Sequence, residues 1–214
     1  MRMVLALAAL WLPVSLSSEE LDLPEGYVPD PKMPGAAIGL SANRKYFKAV
    51  DRLRDEYRIQ MARALEHADG ASIFLLHYKP VDPRDIPKEK RKPRYFSMAP
   101  YRLHTEVLNW IELRGEGIRR IREATLELLR QPKTEGPWAH FPTHGIRLYR
   151  GEELVFETSM SLHTGNYFVR YPDNYEKGSW VGFGGKDPLK IEKELKELLP
   201  IPKELLEKFE EENG

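Results

Sequence analysis

Three of the chain's six histidines, His140, His144 and His163, fall within a stretch that the sequence predicts to be a run of β-strands. Imidazole nitrogens bind zinc and copper, and a proline turn between His140 and His144 can hold two rings close together. No acidic residue lies between positions 138 and 150, however, and the spacing matches no established metal signature. The stretch therefore permits a metal site without specifying one.

A simpler interpretation gives these histidines structural roles. His144 stands at the predicted entry of a strand, where a neutral ring can hydrogen-bond to the backbone. The adjacent Gly145 is then expected to supply backbone freedom. We favour this interpretation and expect no cofactor, with zinc or copper on His140, His144 and His163 as the alternative. These histidines and Thr164 remain the candidate binding residues.

Serine chemistry receives little support from the sequence. Ser159 and Ser161 have His163 nearby, but they lie on no nucleophile elbow. The Gly-Phe-Gly-Gly segment at 182–185 lacks the complete dinucleotide fingerprint, and no glycine-rich phosphate loop precedes a helix. A metal-dependent or hydrolytic enzyme that uses the three histidines is therefore the alternative to a noncatalytic protein.

Aromatic side chains offer a second kind of candidate site. Exposed rings on strands form platforms for sugars or partner proteins, although strand aromatics are more often buried in a core. The candidates for such a surface are Trp110, Trp138, Tyr167, Tyr171, Tyr175 and Trp180.

A predicted hairpin positions the histidines. Segments His-Gly-Ile-Arg-Leu-Tyr and Glu-Leu-Val-Phe-Glu-Thr-Ser-Met flank a turn in which Gly151 is suited to positive φ. An odd-length loop with a glycine bulge is needed to give the two strands a shared core face, which we expect to consist of Ile146, Leu148, Leu154 and Phe156. This register places His144 beside the end of the second strand and the turn at 162–165, so the histidines are expected to be neighbours.

The remaining elements surround this hairpin. A helix is expected from Ser41 to about residue 69, and strands are expected at 71–80 and 102–115, side by side. A second helix is predicted from Glu116 to Arg130, and an amphipathic helix at 187–200 follows further strands. The buried stripe predicted for the first helix is Tyr46, Val50, Leu53, Tyr57, Met61, Ala64 and Leu65. The fold class is α+β, a single domain whose mainly antiparallel sheet is covered by amphipathic helices.

Residues 80–100 are predicted to form a long basic surface loop without strand or helix, because prolines recur and apolar residues are scattered. Its segment 84–94 holds six basic and two acidic side chains. Such a segment can contact an anionic polymer or lipid head groups. No aromatic residue lies within the segment, so a solvated loop is the favoured interpretation.

Composition narrows the classes of function. The 214 residues include 33 basic and 33 acidic side chains, so net charge does not steer the protein toward nucleic acid. The chain contains no cysteine, which excludes a thiol nucleophile, a thiolate zinc site, a cysteine-ligated iron–sulfur cluster and an N-terminal lipidated cysteine. A chain of this length buries one ordinary core.

The N-terminus is predicted to direct export. Residues 1–17 combine a basic start, an apolar run and small residues near Ser17, as in a secretory signal peptide. The apolar run is too short to span a bilayer, and no later segment reaches that length, so no transmembrane segment is expected after cleavage. Residues 18–40 are rich in proline and glycine and are predicted to form an extended arm before the domain at 41–214. We expect a secreted or periplasmic protein.

Residues 138–172 also carry a motif pattern. Ala139 begins the segment Ala-His-Phe-Pro-Thr-His-Gly-Ile, and one hairpin later Ser161 and Thr164 stand three residues apart. With the preceding strand and helix and the Leu-Leu-Pro-Ile-Pro sequence near the C-terminus, this resembles a family of uncharacterised secreted bacterial proteins. Its members carry Cys-x-x-Pro-Arg-His-Gly-Ile and then a Cys-x-x-Cys pair. All three cysteines are replaced here, and the resemblance implies no activity.

The sequence therefore predicts an exported, noncatalytic α+β domain that binds an unknown protein or small ligand. No nucleic-acid partner is expected. Pocket geometry distinguishes this from the enzyme alternative, because an enzyme needs converging polar groups with shifted proton affinities.

Overall fold

The computed structural model describes residues 55–88, 94–98, 103–131, 139–169, 179–183 and 189–213, which belong to the unit Asp55–Gly214. The predicted signal peptide, the arm and the first part of the first helix lie outside the described residues. The same holds for Trp138, Tyr171 and Tyr175, and Trp180 is described only in its backbone.

Seven antiparallel strands form one sheet, which confirms the predicted α+β class. The strand at 71–80 pairs with the strand after the basic loop, as predicted, and with the first strand of the hairpin. In chain order the strands are β1 Gly70–Val81, β2 Tyr95–Met98, β3 Leu103–Glu112, β4 His144–Arg150, β5 Glu153–Ser161, β6 Asn166–Val169 and β7 Ser179–Gly182. Their order across the sheet is β2-β3-β1-β4-β5-β6-β7.

Three helices bury one face of this sheet, which we call the first face. They are α1, described over 55–65, α2 Glu116–Arg130 and α3 Lys190–Leu198. The bounds of α2 are those predicted. In α1 Leu65 is buried as predicted, but the exposed Ala64 was wrongly placed in the buried stripe, and Ala62 faces the core instead. The core between helices and sheet includes Ile73, Ile121, Leu128, Ile146, Leu148, Phe156, Ile191 and Leu195.

A fourth helix, α4 Lys203–Asn213, packs beside the end of β1. The ring of Phe209 contacts the rings of Tyr78, Phe141 and His163. The Tyr78 hydroxyl donates to Glu212, which also pairs with Lys79. Within the part of the chain that the structure describes, no helix is both long enough and apolar enough to cross a membrane.

The opposite face of the sheet, the second face, carries a smaller apolar cluster made by Phe74, Leu76 and Phe96. Phe96 lies in β2, so the prediction that residues 80–100 contain no strand is wrong at Tyr95–Met98. Within that strand Phe96 and Met98 are buried and alternate with half-buried residues, which is the period of a strand. The four residues were too few for the pattern to be recognised between prolines. Residues Pro83–Asp85 also form a short 3-10 helix.

The β4–β5 hairpin has the predicted turn, with Gly151 at φ 58°. A bulge lies between Leu148 and Tyr149, so Leu148 faces Phe156 whereas Tyr149 faces Leu154. The extra residue moves Leu154 out of the shared core face, and its side chain is 47% exposed. Leu154 was therefore wrongly assigned to the core, while Ile146, Leu148 and Phe156 are buried as predicted.

Candidate functional site

Buried polar side chains concentrate where β4 begins and β5 ends. Buried polar groups need hydrogen-bond partners, so their pairing shows what such a cluster can do. The members that are almost fully buried are Thr143, His144, Thr158, Ser159, Ser161 and Asn166.

His144 lies on the first face, paired with Leu75 and Met160 in the sheet. Its Nε2 donates to the backbone oxygen of Leu199 at 2.8 Å, and Nδ1 lies 3.3 Å from the Thr143 hydroxyl. Burial lowers the pKa of His144 to about 4, and the hydrogen bond to Leu199 opposes this only in part. The ring is neutral at pH 7 and bound to backbone, as the structural interpretation predicted.

Gly145 has a different role from the one expected. It is absent from the positive-φ glycines among the described residues, which are Gly115, Gly151 and Gly165. A Cβ added at Gly145 would lie 2.6 Å from Cε2 of Phe96. The glycine therefore makes room for the Phe96 ring on the second face, and backbone freedom is not the reason for it.

His140 lies in the loop before β4 and reaches the second face. Its Nδ1 is 2.5 Å from Oδ1 of Asn166, and its Nε2 is 3.1 Å from Oγ of Ser159. The amide nitrogen of Asn166 donates to the backbone oxygen of Ala139 at 2.8 Å. That bond turns Oδ1 toward the ring, so Nδ1 carries the proton and Nε2 accepts from Ser159.

Three elements hold this chain of groups in place. Ser159 lies on β5 opposite Gly145 of β4, and Asn166 begins β6 opposite Ser161. The loop that carries His140 is held by Thr143, whose amide donates to the Met160 oxygen at 2.7 Å and whose oxygen accepts from the Leu76 amide at 2.9 Å. The ring is thus fixed between two strands.

The surroundings also set the protonation of His140. Burial lowers its pKa to about 4, and the hydrogen bond to Asn166 raises it by less. At neutral pH the ring is uncharged, and the lone pair of Nε2 faces the Ser159 hydroxyl. A neutral imidazole next to a hydroxyl has the geometry of a general base, and a pKa near 4 makes it a weak one.

His163 and Thr164 lie in the β5–β6 turn and do not join these groups. The His163 ring stacks on Phe209 with centroids 4.2 Å apart. The backbone amide and hydroxyl of Thr164 both contact the Ser161 hydroxyl, at 3.2 and 2.6 Å. Ser161 and Thr164 are therefore in direct contact.

The predicted neighbourhood of three histidines does not form a cluster, because the three side chains belong to different elements and contact different groups. His144 points to the first face, whereas His140 bonds to residues on the second face and His163 packs on α4. Across the described ranges, no group of three His, Asp or Glu side chains is placed to hold a metal ion.

The aromatic candidates are also separated. Tyr167 is 1% exposed and its hydroxyl accepts from Arg58, so it belongs to the core and was wrongly assigned to a surface. Trp110 on β3 is 52% exposed. It pairs in the sheet with Phe74 on the second face.

Trp110 lies at one end of a row of residues that face the same side of the sheet on four strands. The Arg147 guanidinium lies 4.9 Å from the ring centroids of both Phe74 and Phe96. Its Nε donates to Glu157 at 2.7 Å. We call Trp110, Phe74, Arg147 and Glu157 the second-face row. Its ends are an exposed indole and a half-buried ion pair.

The basic loop is less free to bind anions than its charge implies. Arg84 pairs with Asp82 and Arg94 pairs with Glu106, both at 2.6 Å. These local pairs neutralise part of the positive charge of the described loop residues.

Sequence reasoning missed Ser159 and Asn166 as partners of His140. Ser159 was considered together with His163, which is close to it in sequence. In the fold the two side chains contact different groups. The hairpin register was the usable signal, since it places Ser159 opposite Gly145 and on the face away from His144. Asn166 carried no signal, because its approach depends on the path of the loop at 139–143.

No family model, no curated protein and no solved structure matches this chain. The resemblance to secreted bacterial proteins with the cysteine pattern therefore stays a prediction. The candidate site must be interpreted from its own geometry.

Proposed function

We propose that the protein is an exported binding protein that recognises a partner protein through the second-face row. The observation that carries this proposal is the half-exposed Trp110 on the same face as Arg147, whose guanidinium lies over Phe74, the strand partner of Trp110. Tryptophan and arginine are the residue types that contribute most to binding energy at protein interfaces. A partner that fits has an apolar pocket for the indole and polar groups around it.

Arg147 is prepared for such a role by its contacts. Stacking on Phe74 and Phe96 and the hydrogen bond to Glu157 hold the guanidinium in one orientation. A side chain that is already ordered loses less entropy when a partner binds. Val107, also on β3, packs against Phe74, Leu76 and Phe96 on the same face.

A capture experiment with matched variants tests the binding surface. The purified protein, Trp110→Ala and Arg147→Ala are immobilised and exposed to the extracellular and periplasmic fractions of the source cells. Ile59→Ala is the control, because Ile59 is similarly exposed but lies on α1. We expect one protein to be retained by the parent and the control, and its Kd to rise at least about tenfold in the two row variants. Equal retention by all four proteins, or by none, contradicts the proposal.

Export is tested separately by mass spectrometry of the protein recovered from cell fractions. We expect an N-terminus near Ser17 or Ser18 and recovery outside the cytoplasm. An intact Met1 on cytoplasmic protein would contradict both the signal peptide and the proposed compartment.

A hydrolytic enzyme is the second candidate, and one observation favours it. The contact of His140 with Ser159 and Asn166 provides a serine, a base and an orienting group in hydrogen-bond order. The set of three histidines that the sequence analysis expected does not supply this order of groups.

A further inference from the structure

We infer that Ser159 is a nucleophile activated by His140, with Asn166 as the positioning residue, and that this site accepts short acyl groups from esters. The inference rests on the second candidate function, the hydrolytic enzyme, and gives it a substrate class; it does not depend on the second-face row. It rests on the geometry around His140.

The first argument is the order of the contacts. Ser159 Oγ lies 3.1 Å from Nε2 of His140, within reach for direct proton transfer. The second ring nitrogen lies 2.5 Å from Asn166 Oδ1. A serine is activated when its hydroxyl hydrogen-bonds to a base and a third group orients that base. This holds whatever the fold or the chain order.

The second argument is that the ring is held in the productive tautomer. Ala139 binds the amide nitrogen of Asn166, so Oδ1 faces Nδ1 of His140. The proton therefore stays on Nδ1, and Nε2 keeps its lone pair toward Ser159. The wrong tautomer would direct an N–H at the serine and prevent it from losing its proton.

The third argument is the contrast with neighbouring hydroxyl groups. Thr143 donates to the Met160 oxygen and Thr158 donates to the Phe168 oxygen, so both hydroxyls satisfy backbone groups. The hydroxyl of Ser161 accepts from Thr164 within one turn. Ser159 instead contacts a side-chain base from a loop 19 positions earlier in the chain.

The reaction can be written with every proton assigned. Oγ of Ser159 attacks the ester carbonyl carbon while its proton moves to Nε2 of His140. The tetrahedral intermediate collapses, the bond to the leaving oxygen breaks, and that oxygen takes the proton from Nε2. Water then attacks the acyl-serine, gives a proton to Nε2, and releases the carboxylic acid as the proton returns to Ser159.

Burial limits the substrate to compact groups. Ser159 is 2% exposed, so only a compact acyl group such as acetyl is expected to reach its Oγ. The neutral amide of Asn166 also stabilises an imidazolium less than a carboxylate would, so acyl transfer is expected to be slow.

The test uses p-nitrophenyl acetate as the probe and mass spectrometry as the readout. We expect the parent protein to gain one acetyl group, mapped to Ser159 by peptide analysis. Ser159→Ala is expected to lose the acetyl group, and His140→Gln is expected to lower the acetylation rate of Ser159 at least about 100-fold. Ser161→Ala is the matched control, a buried serine two positions away that should leave the rate unchanged. Thermal melts establish that each variant is folded.

The pH profile tests the positioning residue. In the parent, acetylation should rise as His140 loses its proton and then stay level through neutral pH. In Asn166→Asp, a carboxylate beside Nδ1 should raise the pKa of His140 and move this rise to higher pH. No acetyl group on Ser159 in the folded parent, an unchanged rate in folded His140→Gln, or an unmoved profile in folded Asn166→Asp would each overturn the inference.

Discussion

His144 donates a hydrogen bond from Nε2 to the backbone oxygen of Leu199, 55 positions further along the chain, at 2.8 Å. This contact joins the start of β4 to the end of α3. Leu199 lies at the end of the helix, where backbone oxygens lack partners within the helix. A single imidazole therefore connects the sheet to the helical layer.

The His144 contact makes stability depend on pH in a defined window. Because burial lowers the pKa of His144 to about 4, the unfolded chain binds a proton below about pH 6.5 that the folded protein does not. The contribution of His144 to the free energy of unfolding is complete above about pH 6.5 and is lost as the pH falls toward about 4. We expect the free energy of unfolding to drop by about 1 to 2 kcal/mol from pH 7 to pH 5 through His144.

A His144→Gln variant separates titration from hydrogen bonding, since the glutamine amide can still donate to Leu199. Denaturant melts at pH 7 and pH 5 should show a smaller loss of stability in this variant than in the parent. His140 contributes a loss of its own in both proteins, because its pKa is also lowered to about 4. An identical pH dependence in both would contradict a neutral, buried His144.

Two glycine-to-alanine changes are predicted to have opposite effects on stability, because Gly145 lies against Phe96 and Gly117 has room for a Cβ. In Gly145→Ala the new Cβ would meet the Phe96 ring at 2.6 Å, so the strand or the ring must move, at a cost of about 1 to 3 kcal/mol. Gly117→Ala in α2 meets only ordinary contacts at 3.5 Å, and it should stabilise the protein by roughly 0.5 to 1 kcal/mol through helix propensity.

Urea midpoints at unchanged slope measure both glycine variants. A stabilised Gly145→Ala protein would show that Phe96 does not occupy the space above Gly145 in solution.

Local patterns were sufficient for the elements that depend on neighbouring residues. The bounds of α2 follow from its apolar spacing and the proline after it, and the Gly151 turn follows from turn chemistry. The antiparallel pairing of β1 with β3 could be predicted because both strands are apolar and close in sequence.

The candidate site depended on contacts that no local pattern encodes. β2 brings Phe96 over Gly145, although two strands lie between β2 and β4 in the sheet. One extra residue in β5 turned Leu154 outward. Tyr167 is a residue type that often lies at a surface, but here its hydroxyl contacts the buried Arg58. The Phe96 and Tyr167 contacts join distant segments, and the Leu154 outcome depends on the exact position of a bulge; sequence spacing determines neither.

The buried contact of Arg58 with Tyr167 predicts a cost for removing one oxygen. Arg58 donates from Nη1 to the Tyr167 hydroxyl and to the Gln131 oxygen, both at 3.2 Å. Burial acts to lower the pKa of Arg58, but the Tyr167 and Asp55 contacts outweigh it, and the pKa is raised. Tyr167→Phe removes one acceptor from a buried charge and should cost about 1 to 3 kcal/mol.

Tyr149→Phe is the control for Tyr167→Phe, because Tyr149 lies outside the fully buried core. It should change stability by less than about 0.5 kcal/mol. If both phenylalanine variants melt like the parent, the Tyr167 hydroxyl does not support Arg58 in solution.

The last prediction compares Phe156 with His163, which lie on the same hairpin arm and its following turn. Phe156 is 5% exposed within the core between sheet and helices, so Phe156→Ala leaves a cavity and should cost on the order of 3 to 5 kcal/mol. The exposed His163 loses only its stacking on Phe209, so His163→Ala should cost about 0.5 to 1 kcal/mol. Denaturant melts of both variants against the parent measure the difference. Equal destabilisation would mean that the His163–Phe209 stack anchors α4 to the domain, and that the fold relies on this helix as much as on its apolar core.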